Sequence, residues 1–147
     1  MLGPEGIFER AIASHARVGI GKGDDPRKAL RSARSAEAKG YADVVVYDSA
    51  EGMVAALCTG EVDAVVRGDL GANTTMAEVK RQFSLDHLLR AALMKPRGGR
   101  MFFLAPVGVD EGWEAGTKME FIHRSARLFE QLGEEMSVGV LSGGRLE

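Results

Sequence analysis

The chain has 147 residues, 45% of them apolar and 27% charged, with a formal net charge of -2. That length predicts one α/β domain over residues 1–147, or the N-terminal portion of a longer two-domain protein, with enough chain to bury a core. The near-neutral charge excludes a chain-wide basic field for nucleic acid, the single Cys58 excludes an intrachain disulfide framework or a cysteine-only metal site, and no apolar run reaches the ~20 residues of a membrane span.

Ile7 to Ser14 is predicted as a short first helix, with Ile7, Ala11 and Ile12 on one face. Arg17 to Ile20 is the first strand and runs into the turn Gly19-Ile-Gly-Lys-Gly-Asp-Asp-Pro26. Asp25 before Pro26 reads as an N-cap with proline at the first helical position; the helix continues to about Lys39 and stops at Gly40. Its apolar side is Ala29, Leu30, Ala33 and Ala36, mostly alanine, which predicts close packing on a sheet. The glycine-rich turn is not a P-loop, because no Gly-Lys-Ser/Thr follows. Nor is it a complete G-x-G-x-x-G fingerprint, because Asp24 stands three residues after Gly21. A tight turn with an exposed Lys22 is the plainer reading, and a phosphate contact through backbone N–H groups is the other.

Asp43 to Tyr47 is the second strand, apolar enough to suggest burial on both faces as in a parallel sheet. Asp48-Ser49 caps a helix from Ala50 to Thr59, which Gly60 ends. Val62 to Val66 is the third strand. It leads through Arg67, Gly68, Asp69, Gly71 and Asn73 into a helix on which Met76, Val79 and Phe83 recur, with Thr74 or Thr75 as N-cap. A helix N-terminus fed by a strand end favours anions, and Arg67 adds a fixed positive charge. An ordinary βα loop of turn residues has the same composition.

After Phe83 the pattern changes. Residues 84–87 suggest a short helix. Leu89 to Met94 and Met101 to Ala105 flank the basic Pro/Gly turn 95–100 and read as a β-hairpin, an antiparallel pair inside the otherwise parallel sheet. A loop with Asp110, Glu111 and Trp113 precedes a long helix to about Leu132, ended by Gly133. Ser137 to Leu141 is the last predicted strand, followed by Ser142-Gly-Gly-Arg145. A strand and glycine turn with no helix after them suggest an incomplete domain, and the closing Leu-Glu resembles a cloning remnant. The order of elements predicts a three-layer α/β/α domain, mostly parallel.

His15, His87 and His123 fall on different elements with no i, i+4 pairing, which argues against zinc; no G-x-S-x-G marks a nucleophile. What remains are the loops 21–24, 67–75, 107–113 and 142–145. In a parallel sheet most of these share the ligand-binding edge. The candidate ligand-binding residues are Arg67, Asp69, Asn73, Thr74, Thr75, Ser142, Gly143 and Arg145, suited to a phosphate or carboxylate. No catalytic residue and no metal ligand is assigned.

Ala64-Val-Val-Arg-Gly with Asn73-Thr-Thr-Met-Ala-Glu-Val-Lys-Arg resembles a segment of the phosphate acetyl/butyryltransferases, as do Met101-Phe-Phe-Leu-Ala and Arg124-Ser-Ala-Arg. Val-Arg-Gly-Asp, Ala-Pro-Val-Gly-Val-Asp-Glu-Gly-Trp and Leu-Ser-Gly-Gly-Arg resemble more closely the archaeal branch called methanogenesis marker or putative methyltransferase MtxX. The resemblance implies an isocitrate-dehydrogenase-like (phosphotransacetylase-like) fold, present here in part, and acyl transfer between coenzyme A and phosphate. The archaeal branch implies a methyltransferase subunit or a non-catalytic binding module instead. The acyltransferases' Asn-Asp-Leu-Ser-Arg signature is not in this chain, so only a ligand contact carries over, to Thr74, Thr75 and Ser142. No covalently held cofactor is expected; coenzyme A or phosphate would be a substrate. The expected partners are a small anionic ligand and further copies of the chain, with neither nucleic acid nor membrane, in the cytoplasm.

Overall fold

The computed structural model describes residues 3–108 and 114–141. The chain divides into two compact units, Pro4–Leu88 and a second carrying the residues from Leu89 onward. The first is a three-stranded parallel sheet with helices. Its elements are α1 (Pro4–Ser14), β1 (Arg17–Gly21), α2 (Arg27–Ala38), β2 (Asp43–Tyr47), α3 (Ala50–Thr59), β3 (Ala64–Val66) and α4 (Ala72–Gln82). The strand order is β2-β1-β3, with Ile20 opposite Val46 on one side and Val66 on the other.

Period-two alternation sorts the strand side chains onto two faces. Ile20 and Val44 meet Ala29 and Ala33 of α2, where alanine lets the helix lie close to the sheet. On the other face Val65 and Tyr47 pack with Ala50 and Met53 of α3 and with Leu70. Met53 and Val54 of α3 and Val62 before β3 are the most deeply buried side chains. Gly19 occupies β1 on the α3 face because the Tyr47 ring fills the space: an added Cβ would stand 2.9 Å from Tyr47 Cε2. Opposite, at the strand starts, the Arg17 amide donates to Asp63 Oδ2 at 2.7 Å and its guanidinium pairs with Asp43 at 3.4 Å, fastening β1 to both neighbours.

The second unit holds β4 (Ala92–Met94), β5 (Phe102–Leu104) and α5 (Ala115–Gln131). The Phe103 ring meets Phe129 of α5 edge-on at 5.6 Å. Ala92, Met94, Phe102 and Leu104 form the opposite face of the ribbon, where Met94, Phe102 and Leu104 are exposed.

Four expectations are corrected. β4 and β5 form a two-stranded sheet of their own and do not interrupt the parallel sheet. β2 is an edge strand with Val46 exposed, because β1 takes the centre. Residues 84–87 form no helix: Ser84 enters the left-handed region at φ 52°, just after α4. Residues 137–141 form no strand, and Val138, Val140 and Leu141 are exposed. Among the described residues no helix is long and apolar enough to cross a membrane.

Candidate functional site

The parallel sheet brings three loops to the carboxyl ends of its strands: 22–26 after β1, 48–49 after β2 and 67–71 after β3. The chain leaves β1 toward β2, then returns across β1 to β3. The crevice between β1 and β3 is therefore the switch point where ligands enter open α/β sheets.

Here the two flanking loops touch backbone to backbone, and glycine makes it possible. Gly68 has φ 62°, and a Cβ there would overlap the Gly21 carbonyl oxygen. A Cβ on Gly21 would meet Arg67 O at 2.5 Å, and one on Gly23 would stand 2.6 Å from Asp69 O. The β1 turn is thus glycine-rich because the β3 loop lies against it, which accounts for its spacing without a dinucleotide.

Arg67 is exposed at the end of β3, and its Nη1 donates to the Leu70 carbonyl, folding the guanidinium over its own loop. Asp69 binds the loop after β1: its Oδ2 accepts the Asp25 N–H at 3.1 Å, while Oδ1 is buried without a hydrogen-bond partner. Lys22 Nζ pairs with Asp48 Oδ1 at 2.8 Å, and the Lys22 amide donates to Tyr47 O at 2.8 Å, linking the ends of β1 and β2. Asp25 does not cap α2. Its carboxylate grips the Arg27 guanidinium through two bonds of 2.6 and 2.8 Å, and that hydrogen bond holds the carboxyl below its ordinary range. Pro26 is the N-cap.

Helix α4 starts three or four residues earlier than expected, with Gly71 as N-cap in place of Thr74 or Thr75. Thr75 is buried inside its first turn: its hydroxyl donates to Gly71 O at 2.9 Å and its amide to the same oxygen at 3.0 Å. Thr75 therefore holds the helix start together and offers no free donor. Asn73 and Thr74 are exposed, and the amides of Ala72, Asn73 and Thr74 precede the first helical bond. Arg67, Asp69, Asn73 and Thr74 thus share one loop and helix start, while Ser142, Gly143 and Arg145 lie outside the described residues, as do Asp110, Glu111 and Trp113. The coupling of Asp69 to Asp25 has no signal in the sequence, because a contact between residues 44 apart leaves no local pattern. A separate shallow hollow of about 410 Å³, lined by Arg31, Ser32, Ser35, Ala36 and Tyr41, lies toward the edge where the strands begin. Among the described residues no cluster of His, Cys, Asp or Glu could hold a metal ion.

Nearly the whole chain has counterparts among methanogen proteins. It is 37% identical over 161 aligned residues, 97% of its length, to the putative methyltransferase mtx subunit X of Methanosarcina mazei. The Methanosarcina barkeri protein of the same name is 36% identical over 93% of the chain. An uncharacterized methyltransferase of Methanopyrus kandleri is 34% identical over 89%. The chain spans 58% of the length of the two mtx subunit X relatives and 57% of the third. No family model matches, and no solved structure matches significantly.

Proposed function

We propose that this chain is a ligand-binding α/β portion of a methyl-transfer protein of the mtx subunit X kind, with its ligand at the carboxyl ends of β1 and β3. The observation that carries the reading is the similarity to subunit X along 97% of the chain. The strand-end loops support the location: Arg67 and the amides opening α4 are donors suited to an anionic group.

A second reading, a phosphate acyltransferase-like protein that binds coenzyme A or phosphate, is favoured by the same donors. Arg67 has guanidinium N–H groups beyond the one given to Leu70 and is exposed. Calorimetric titration of the chain and of Arg67→Ala with S-adenosylmethionine, coenzyme A and phosphate separates the two. Binding of S-adenosylmethionine alone, weakened by the substitution, supports methyl transfer. Binding of coenzyme A and phosphate supports the acyltransferase reading, and no binding of any of the three removes the strand-end site.

A further inference from the structure

Helix α2 ends in a turn that folds an aromatic ring back beside it. Gly40 takes φ 68°, and the Tyr41 amide then donates to the Ala36 carbonyl at 2.9 Å, the closure that a left-handed helix end makes. The Tyr41 ring is held there by Phe8 of α1, stacked on it at 4.9 Å, and by the Lys39 ammonium, 5.7 Å from its centroid. Arg31, Ser32, Ser35 and Ala36 stand three and four residues apart and so share one flank of α2. Between that flank and Tyr41 lies the hollow of about 410 Å³, within the size range of small-molecule sites.

The polar groups that line the hollow are donors with nothing to donate to. Thr59 and Thr75 also stand in helices, and each turns its hydroxyl back to a backbone carbonyl. Ser32 and Ser35 do not. Among the described residues no group pairs with their hydroxyls, with the Tyr41 hydroxyl or with the Arg31 guanidinium. No carboxylate lines the hollow. The surrounding charge has the same sign: residues 27–39 hold five cations and one carboxylate, Glu37, in a chain of net charge -2. Of those five cations, only Arg27 has an ion-pair partner among the described residues. A guanidinium and three hydroxyls with no competing acid suit an oxyanion. They are more donors than the two oxygens of a carboxylate can use, and they match the three terminal oxygens of a phosphate ester.

We propose that this hollow binds a phosphate monoester. Arg31 grips the phosphate, the Ser32, Ser35 and Tyr41 hydroxyls complete its hydrogen bonds, and the carbon body of the ester rests on Ala36 and the Tyr41 ring. The site is separate from the strand-end loops and does not depend on them.

The test is amide-shift mapping by NMR of the isotope-labelled chain, titrated with phenyl phosphate, inorganic phosphate and benzoate. Phenyl phosphate shifts the amides of residues 31–36 and 41 saturably. It binds there more tightly than inorganic phosphate, which lacks the carbon body, and than benzoate, which lacks the third oxygen and the second charge. Arg31→Ala, shown by its melting curve to be folded, weakens phenyl phosphate at these amides by about tenfold or more, the scale of a hydrogen bond between charged groups. The double variant Ser32→Ala, Ser35→Ala weakens it as well. Arg67→Ala leaves it unchanged, which tells this hollow from the strand-end loops. Lys28→Ala, on the same helix but outside the hollow, weakens it less than Arg31→Ala. No shift at these amides, undiminished affinity in Arg31→Ala or in the double serine variant, or benzoate or inorganic phosphate binding as tightly as phenyl phosphate overturns the proposal. Equal losses for Lys28→Ala and Arg31→Ala overturn it too, by showing a diffuse basic face fit for a polyanion in place of a site.

Discussion

The Asp25 amide donates to Oδ2 of Asp69 at 3.1 Å, across 44 residues of sequence. One hydrogen bond thereby ties the loop after β1 to the loop after β3. Asp69→Ala should lower stability by about 1 kcal/mol, below the usual range for a bond to a charged group because the Asp25 amide is exposed and can turn to water. Asp69→Asn should cost less, since it keeps an acceptor. Urea unfolding measures both, and an unchanged midpoint for Asp69→Ala would show that the loops hold together without it.

Glycines with positive φ should not be equivalent. Gly40 and Gly60 lie in the left-handed region beside open space. Alanine there pays only the backbone penalty of about 1 kcal/mol. At Gly68 the same substitution also drives a methyl into the Gly21 carbonyl, so Gly68→Ala should cost about 3 kcal/mol or more. Equal melting temperatures for the three variants would contradict the close approach of the two loops.

Arg67 and Lys22 should separate in an anion titration. Lys22 is already paired with Asp48, whereas Arg67 spends one N–H on a carbonyl. Arg67→Ala should weaken phosphate-ester binding by about tenfold or more, and Lys22→Ala by less. Calorimetry on both variants checks the order, and a larger loss for Lys22→Ala would move the site toward β2.

Tyr47 should give the fold an alkaline limit. Burial first, and then its 3.0 Å hydrogen bond to Glu61, raise the hydroxyl above its ordinary value. A raised acid keeps its proton longer in the folded chain. The stabilisation is therefore complete below the unfolded tyrosine range, near pH 10, and is lost as pH rises through the higher folded value. Thermal melting between pH 8 and 11 should show this loss in the wild type and a flatter curve in Tyr47→Phe. Identical curves would remove the role of Tyr47.

The apolar side chains left open should be detectable in solution. Met94, Phe102 and Leu104 on one face of the hairpin, with Val140 and Leu141, are exposed. Concentration-dependent self-association, or strong fluorescence of a hydrophobic dye, is expected. A strictly monomeric chain that leaves the dye dark would show that this surface is too broken to act as a patch.

What the sequence revealed follows from what is local. Gly40, Gly60 and Gly133 end helices because each takes a positive φ, which composition announces. The bounds of β2 and α3 follow from Asp48-Ser49, and the Ser49 side chain accepts the Gly52 amide at 3.1 Å as a cap should. Thr74 and Thr75 misled for a related reason. They are good caps by type, but Gly71 took the position and Thr75 turned its hydroxyl back to it. The exposure of Val46 was illegible because strand order, not strand composition, decides which strand is central. The site was readable as a loop and a charge at Arg67. Its internal pairing was not, because Lys22–Asp48 and Asp25–Asp69 join separate loops.

The order β2-β1-β3 has a consequence for how the chain is made. The strand that both others need is the first to leave the ribosome. When β2 emerges its template is already there, and β3 later finds the opposite flank of that same strand still vacant. Growth outward from the first strand lets each later strand dock as it emerges, which limits the time during which β2 and β3 stand bare.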